Sequence, residues 1–177
     1  LQLITGKGSD IGDYVSEHEG IDMISFTGGA TTGRHLSSFS TMKPMVLELG
    51  GKDPAIVCED ADIDKTVAEI MSGAFSYSGQ RCTAIKRVLV HATVADALVG
   101  KLKTEVEKLT VGMPIDNPVI VPLINEGAAD YVQGLITDTI AAGGELLVGN
   151  KREGNLIYPT LFDHVTMDMR LAWEEPF

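Results

Sequence analysis

An α/β fold is predicted by two features of the chain. Short runs rich in Val, Ile and Leu alternate with longer stretches whose apolar positions recur every three to four residues, and glycine pairs or capping residues mark the joints between them. Strands that alternate with helices are expected to build a mainly parallel sheet, because each helix returns the chain to start the next strand in the same direction. With 177 residues, 44% of them hydrophobic, the chain can bury the core of one domain and part of a second.

The elements are read in chain order. Gly6-Lys7-Gly8-Ser9-Asp10-Ile11-Gly12 is a turn-rich opening to a short helix through Val15 and His18, with Ser9 or Asp10 placed to cap it. A strand follows over Ile21 to Phe26, running into the glycine-rich turn Thr27-Gly28-Gly29-Ala30-Thr31-Thr32-Gly33 and a helix from Arg34 to Ser40. Strand, glycine turn and helix is an arrangement that aims backbone N–H groups at a phosphate, and it is equally an ordinary tight turn with no ligand. Met45 to Leu49 is a strand that Gly50 and Gly51 end. Alternation puts Val46 and Glu48 on one face and Leu47 and Leu49 on the other, so Glu48 either meets solvent or carries a function.

Pro54 to Cys58 is expected to be a strand, with Cys58 in its core. An Asp62-capped helix carries Ile63, Val67, Ile70, Met71, Ala74 and Phe75 and ends near Gly79. Arg87 to His91 is a strand, and Thr93, with Asp96 three residues on, is placed to cap a helix bearing Leu98, Leu102, Val106 and Leu109. An irregular stretch runs from Val111 through Pro122. The next helix spans about Ala128 to Ala141, is expected to bury Val132, Leu135, Ile136 and Ile140, and stops at Gly143-Gly144. Glu145 to Val148 and Tyr158 to Phe162 read as strands, and Thr166 is expected to cap a short helix that delivers Glu174 and Glu175.

Composition narrows the function. A net charge of −11 argues against a nucleic-acid partner, which demands basic patches, so an anionic ligand would need local arginines. No apolar run approaches the ~18 residues of a membrane span and no secretion signal is visible, so a cytoplasmic protein away from membranes is expected. Two cysteines, Cys58 and Cys82, do not make a disulfide scaffold. His18, His35, His91 and His164 are scattered without metal-ligand spacing, and no metal site is expected.

The candidate site centres on Phe75-Ser76-Tyr77-Ser78-Gly79-Gln80-Arg81-Cys82-Thr83-Ala84, which sets one thiol after a glycine turn and beside an arginine. A nearby cation favours the nucleophilic thiolate. Arg81 could face the sulfur or a substrate anion, and Cys82 could be only a buried loop cysteine, since free cysteines are commonly buried. The preceding helix brings its carboxy end toward Cys82, so its dipole does not activate the thiol.

Gly79-Gln80-Arg81-Cys82-Thr83-Ala84, Leu47-Glu48-Leu49-Gly50-Gly51-Lys52 and Glu174-Glu175-Pro176-Phe177 together, in this order and spacing, resemble the aldehyde dehydrogenase superfamily. Lys86-Arg87 and Lys151-Arg152-Glu153-Gly154-Asn155 are most similar to its non-phosphorylating, NADP-dependent glyceraldehyde-3-phosphate dehydrogenases. The resemblance implies part of a Rossmann-type cofactor domain over 1–50 and a truncated α/β catalytic domain over 51–177, within a longer protein. It implies Cys82 as nucleophile and Glu48 as general base, with Arg81 and Thr83 holding the phosphate of a small phosphorylated aldehyde. Gly28, Gly29, Gly33 and Leu49 would line the cofactor turn, Gly29 standing where many relatives carry serine. Glu175 would hold the nicotinamide ribose and Asp13 would flank the adenine. The cofactor implied is NADP, with NAD possible, and the full-length protein is expected to be a homo-oligomer. The backbone N–H of Cys82 is one expected oxyanion donor; the other, an asparagine in the family, is expected before Leu1. The alternatives are a semialdehyde dehydrogenase using the same Cys82 and Glu48, or a chain inert by itself for lack of the rest of the cofactor fold.

Overall fold

The computed structural model describes residues 1–39 and 42–177. They form two compact units, Leu1–Gly50 and Gly51–Phe177. The expected helix end at Ser40 lies outside the described residues.

In the first unit, helix α1 (Gly8–Glu17) is followed by strand β1 (Ile24–Gly28), helix α2 (Ala30–Phe39) and strand β2 (Met45–Leu49). β1 and β2 pair in parallel with Thr27 opposite Glu48, and α2 is the crossover between them. Burial along β2 alternates as expected, Val46 and Glu48 being its exposed positions. Three boundaries move, the first being the start of β1, at Ile24 rather than Ile21. β1 runs on into the glycine pair, and α2 starts at Ala30 rather than Arg34, so the turn shrinks to Gly29, whose carbonyl accepts from Gly33 N–H at 3.0 Å. The expected cap of α1 is replaced by Lys7, which makes no side-chain cap bond. Because the helix begins at Gly8, Ser9 and Asp10 fall inside its first turn, where the Ser9 hydroxyl donates to Asp10 Oδ1 at 2.9 Å. The other end of α1 is closed by Lys43, whose Nζ donates to the carbonyls of Ser16 and His18 at 2.8 and 2.7 Å, a cation where the helix dipole is negative.

The second unit opens with β3 (Pro54–Val57), α3 (Ile63–Phe75), a left-handed turn over 76–79, β4 (Arg87–Val90) and α4 (Ala92–Val106). β3 and β4 pair in parallel, with α3 as their crossover. Helices α3 and α4 pack together on one face of this pair, and Val57, Val67, Ile70, Leu98 and Leu102 are buried between the layers. α3 has its expected cap, Asp62 Oδ1 accepting from Lys65 N–H at 3.1 Å. The expected core position of Cys58 is corrected: it is exposed. Alternation puts Ile56 and Cys58 on the face that the helices leave open, while Ala55 and Val57 turn inward. Thr93 is likewise not the cap of α4. His91 at the end of β4 holds that position, its Nδ1 accepting from Thr93 N–H at 3.4 Å.

Helix α5 (Glu126–Ala141) is capped by Asn125 and packs on α6 (Arg170–Trp173) and β7 (Leu156–Ile157). Its buried stripe is Ala129, Leu135, Ile136 and Thr139; of the expected core positions Val132 is only half-buried and Ile140 is exposed. β5 (Glu145–Val148) pairs antiparallel with β8 (Leu161–Asp163) and encloses the hairpin of β6 (Arg152–Glu153) and β7. Parallel pairing thus holds where a helix connects the strands and gives way where a two-residue turn joins β6 to β7 and where that hairpin joins β5 to β8. Thr166 stands four residues before α6 and engages Asp168 instead of capping it.

Candidate active site

In the second unit the candidate thiol is exposed, on the connection between α3 and β4. Tyr77, Ser78 and Gly79 are all left-handed, at φ 55°, 59° and 70°. That conformation is unfavourable for residues with a side chain, and Ser78 is held in it by the 119–121 segment. Its hydroxyl donates to the Val119 carbonyl at 3.3 Å and accepts from Val121 N–H at 2.9 Å. After the turn, Ala84 is buried and Ile85 N–H donates to the Gly73 carbonyl at 3.1 Å, which ties the end of the cysteine loop back to α3. The Lys86 ammonium then reaches the loop from beneath, donating to the carbonyls of Cys82 at 2.7 Å and Arg81 at 3.2 Å.

Arg81 turns back under Tyr77. Its guanidinium lies 5.6 Å from that ring's centre and donates through Nη2 to the Gly73 carbonyl at 3.0 Å, while its buried Nε has no hydrogen-bond partner among the described residues. Thr83 is exposed beside Cys82. The carboxy end of α3 faces this turn, as expected.

The same unit joins residues 51–53 to residues 172–175. Gly51 N–H donates to Glu175 Oε1 at 2.9 Å, and Lys52 Nζ donates to the Glu174 carbonyl at 2.8 Å. Burial, with the charges of Arg87 and Lys86, brings Lys52 from the usual 10.5 down to about 8, against the opposing pull of Glu175 and Glu174. Lys86 N–H donates to the Asp53 carbonyl at 2.9 Å, so the cysteine loop and the Glu175 segment are both fastened to 51–53. The Glu174 carboxylate is gripped by Arg170 through Nε and Nη2 at 2.7 and 2.8 Å and accepts from Tyr131 at 3.1 Å, which holds it below the usual carboxylate range.

The first unit holds the other expected residues. Glu48 is exposed on β2, and Leu49 packs beneath Gly33, where a Cβ would stand 2.7 Å from Leu49 Cδ2. Gly33 is therefore a packing glycine that lets α2 lie close on β2. Gly28 ends β1; at Gly29 an added Cβ would meet nothing within 4 Å. An open turn followed by a helix with no acidic residue in its first turn fits a bound pyrophosphate. Asp13 is otherwise engaged: both its oxygens lie within 3.0 Å of His35 Nε2, bracing α1 against α2.

Over residues 1–177 the sequence matches the family described as the aldehyde dehydrogenase family. The chain belongs to that family. It is 58% identical, over its whole length and 37% of the relative's, to the NADP-dependent glyceraldehyde-3-phosphate dehydrogenase of Streptococcus equinus. Among solved structures, that of the NADP-dependent glyceraldehyde-3-phosphate dehydrogenase from Bacillus halodurans C-125 complexed with NADP superposes with a TM-score of 0.96 at 61% identity, covering 98% of this chain and 36% of that one. Succinate-semialdehyde dehydrogenase from Burkholderia pseudomallei superposes at 0.93 with 36% identity, covering 98% and 37%. The chain thus spans little more than a third of the length of these relatives. Among the described residues there is no cluster of His, Cys, Asp and Glu suited to a metal, and no helix long and apolar enough to cross a membrane.

Sequence reasoning missed the work of Ser78, Lys86, Arg87 and Trp173. The Lys86-Arg87 pair at the start of β4 is the one visible signal, and nothing local says which carbonyls it serves.

Proposed function

We propose that the protein carrying this chain oxidises glyceraldehyde 3-phosphate to 3-phosphoglycerate with NADP, with Cys82 as nucleophile and Glu48 as general base. The observation that carries the reading is an exposed cysteine, on a turn pinned from both sides, in a chain 61% identical to an NADP-bound glyceraldehyde-3-phosphate dehydrogenase but 36% identical to a succinate-semialdehyde dehydrogenase. On this reading residues 1–50 belong to the cofactor domain and residues 51–177 to the catalytic domain.

The Cys82 thiolate adds to the aldehyde carbon, and the carbonyl electron pair moves onto oxygen to give a thiohemiacetal. On this reading the backbone N–H of Cys82 donates to that oxyanion. NADP, when bound, supplies the acceptor for the hydride that leaves this carbon. Collapse of the oxyanion leaves a thioester on Cys82. Glu48 takes a proton from water, the hydroxide adds to the thioester carbon, and the C–S bond breaks to release the acid and restore the thiolate. Positioned carboxylate bases of this kind contribute roughly 10²–10⁴-fold.

Gly28, Gly29, Gly33 and Leu49 would shape the pyrophosphate turn. Glu175, with Oε1 taken by Gly51 N–H, keeps Oε2 to accept from the nicotinamide ribose. Arg81 and Thr83 are the candidates for the substrate phosphate; the buried, unpartnered Nε of Arg81 is one donor that a shift of its side chain would bring into use. Asp13 is not carried forward, since His35 occupies its carboxylate.

The test is a steady-state assay of the full-length protein with glyceraldehyde 3-phosphate and NADP in the absence of inorganic phosphate. NADPH formation that is lost in Cys82→Ser, with a raised aldehyde KM in Arg81→Ala, supports the reading. Turnover of a semialdehyde but not of glyceraldehyde 3-phosphate would overturn the substrate and keep Cys82 and Glu48 in their roles.

A further inference from the structure

The segments 51–53 and 172–175 are not strand partners, yet Glu175 meets Gly51 across 124 positions of sequence. One guanidinium spans the seam. Arg87, the first residue of β4, donates through Nε to the Lys52 carbonyl at 2.9 Å and through Nη1 to the Ala172 carbonyl at 3.2 Å. Its guanidinium carbon lies over the indole of Trp173, 5.4 Å from the ring centre. Its own N–H reaches the Asp53 carbonyl at 3.3 Å, so its backbone and its side chain hold the same loop.

We propose that Arg87 is the positioning residue for Glu175: by bridging Lys52 and Ala172 it sets the Glu175 carboxylate against Gly51 N–H, with the second oxygen turned to the cofactor ribose. The role needs an arginine. A planar fork can serve two carbonyls while its face stacks on an aromatic ring, whereas a lysine is a point donor that cannot hold both. Lys52, another cation at the seam, donates there to the Glu174 carbonyl and cannot replace the bridge.

The inference rests on the reading of Glu175 as the ribose acceptor, and the experiment separates the two. In the full-length protein, the Kd for NADPH is measured by nucleotide fluorescence, with kcat and aldehyde KM, for Arg87→Lys, Glu175→Gln and the double variant. The expected result is a Kd about tenfold higher in Arg87→Lys, the scale of a lost charged hydrogen bond. The aldehyde KM stays within about twofold, and the double variant binds no more weakly than Glu175→Gln. A merely structural role would instead give independent, additive losses. Weakened binding in Glu175→Gln with an unchanged Kd in Arg87→Lys, or additivity in the double variant, overturns the role of Arg87 and leaves Glu175 in place. An unchanged Kd in Glu175→Gln overturns the ribose reading and the proposal with it. Should Arg87→Lys fail to fold, Trp173→Leu, which removes the ring beneath the guanidinium together with its Nε1–H bond to the Met167 carbonyl, must raise the Kd in the same direction; no change there contradicts the proposal.

Discussion

Lys86 Nζ donates to the carbonyl of Cys82 at 2.7 Å. With its second bond to Arg81, at 3.2 Å, this ammonium holds the carbonyls of the two peptides that flank the candidate nucleophile. Replacing it by Lys86→Met leaves two carbonyls without their charged donor and frees the loop. The expected outcome in the full-length protein is a kcat lower by about tenfold, on the scale of one charged hydrogen bond, partly recovered in Lys86→Arg. Unchanged steady-state kinetics for Lys86→Met would show that the loop is held without it.

Ser78 is the other fastening of the cysteine loop. Its hydroxyl is at once donor to Val119 and acceptor from Val121, and Tyr77 and Ser78 sit in a conformation that most side chains avoid. Ser78→Ala is expected to cost ~1–3 kcal/mol in urea unfolding, since Val121 N–H loses its partner. Limited proteolysis should then cut faster within 76–81.

Lys52 makes stability depend on pH in a definite direction. Its folded pKa, about 8, lies below the ordinary 10.5, so between these values the unfolded chain binds more protons and stability rises with pH. Below pH 8 the ammonium is charged in both states and the folded state bears the full cost of burying it. Urea midpoints of the wild type relative to Lys52→Met are therefore expected to improve from pH 8 toward pH 10. A constant difference across that range would contradict the environment described for Lys52.

Leu98 of α4 is fully buried against α3 and the β3–β4 pair. Leu98→Ala opens a cavity there and is expected to cost ~2–5 kcal/mol in chemical denaturation. The exposed Ile56, on the open face of the same pair, is expected to change stability far less when replaced by Ala.

What the sequence made legible is what is local. The Asp62 cap, the alternation along Met45–Leu49 and the Leu98, Leu102 and Val106 part of the α4 stripe depend on neighbours a few residues away and are observed, whereas Leu109, expected on the same helix, lies past its end at Val106. Cys58 was misread because an apolar run does not say how many faces of its sheet are covered. Thr93 was misread because the end of β4, not the capping pattern, sets where α4 begins. The β6–β7 hairpin was missed because strands of two residues carry no periodicity. At the candidate site, the residue types around Cys82 and Glu48 stood out by motif. The contacts from Glu175 to Gly51 and from Arg87 to Ala172 join positions 124 and 85 apart, and no short-range pattern reports them.

The central claim is that Cys82 carries the acyl group. Blocking deacylation should make that group accumulate, so the decisive measurement is the mass of peptides from the full-length Glu48→Gln protein, quenched in acid during reaction with glyceraldehyde 3-phosphate and NADP. The account predicts a 3-phosphoglyceroyl adduct on the peptide containing Cys82, formed in step with one equivalent of NADPH and absent when NADP is omitted. An adduct on Cys58, or NADPH formed with no acyl group on Cys82, would contradict it.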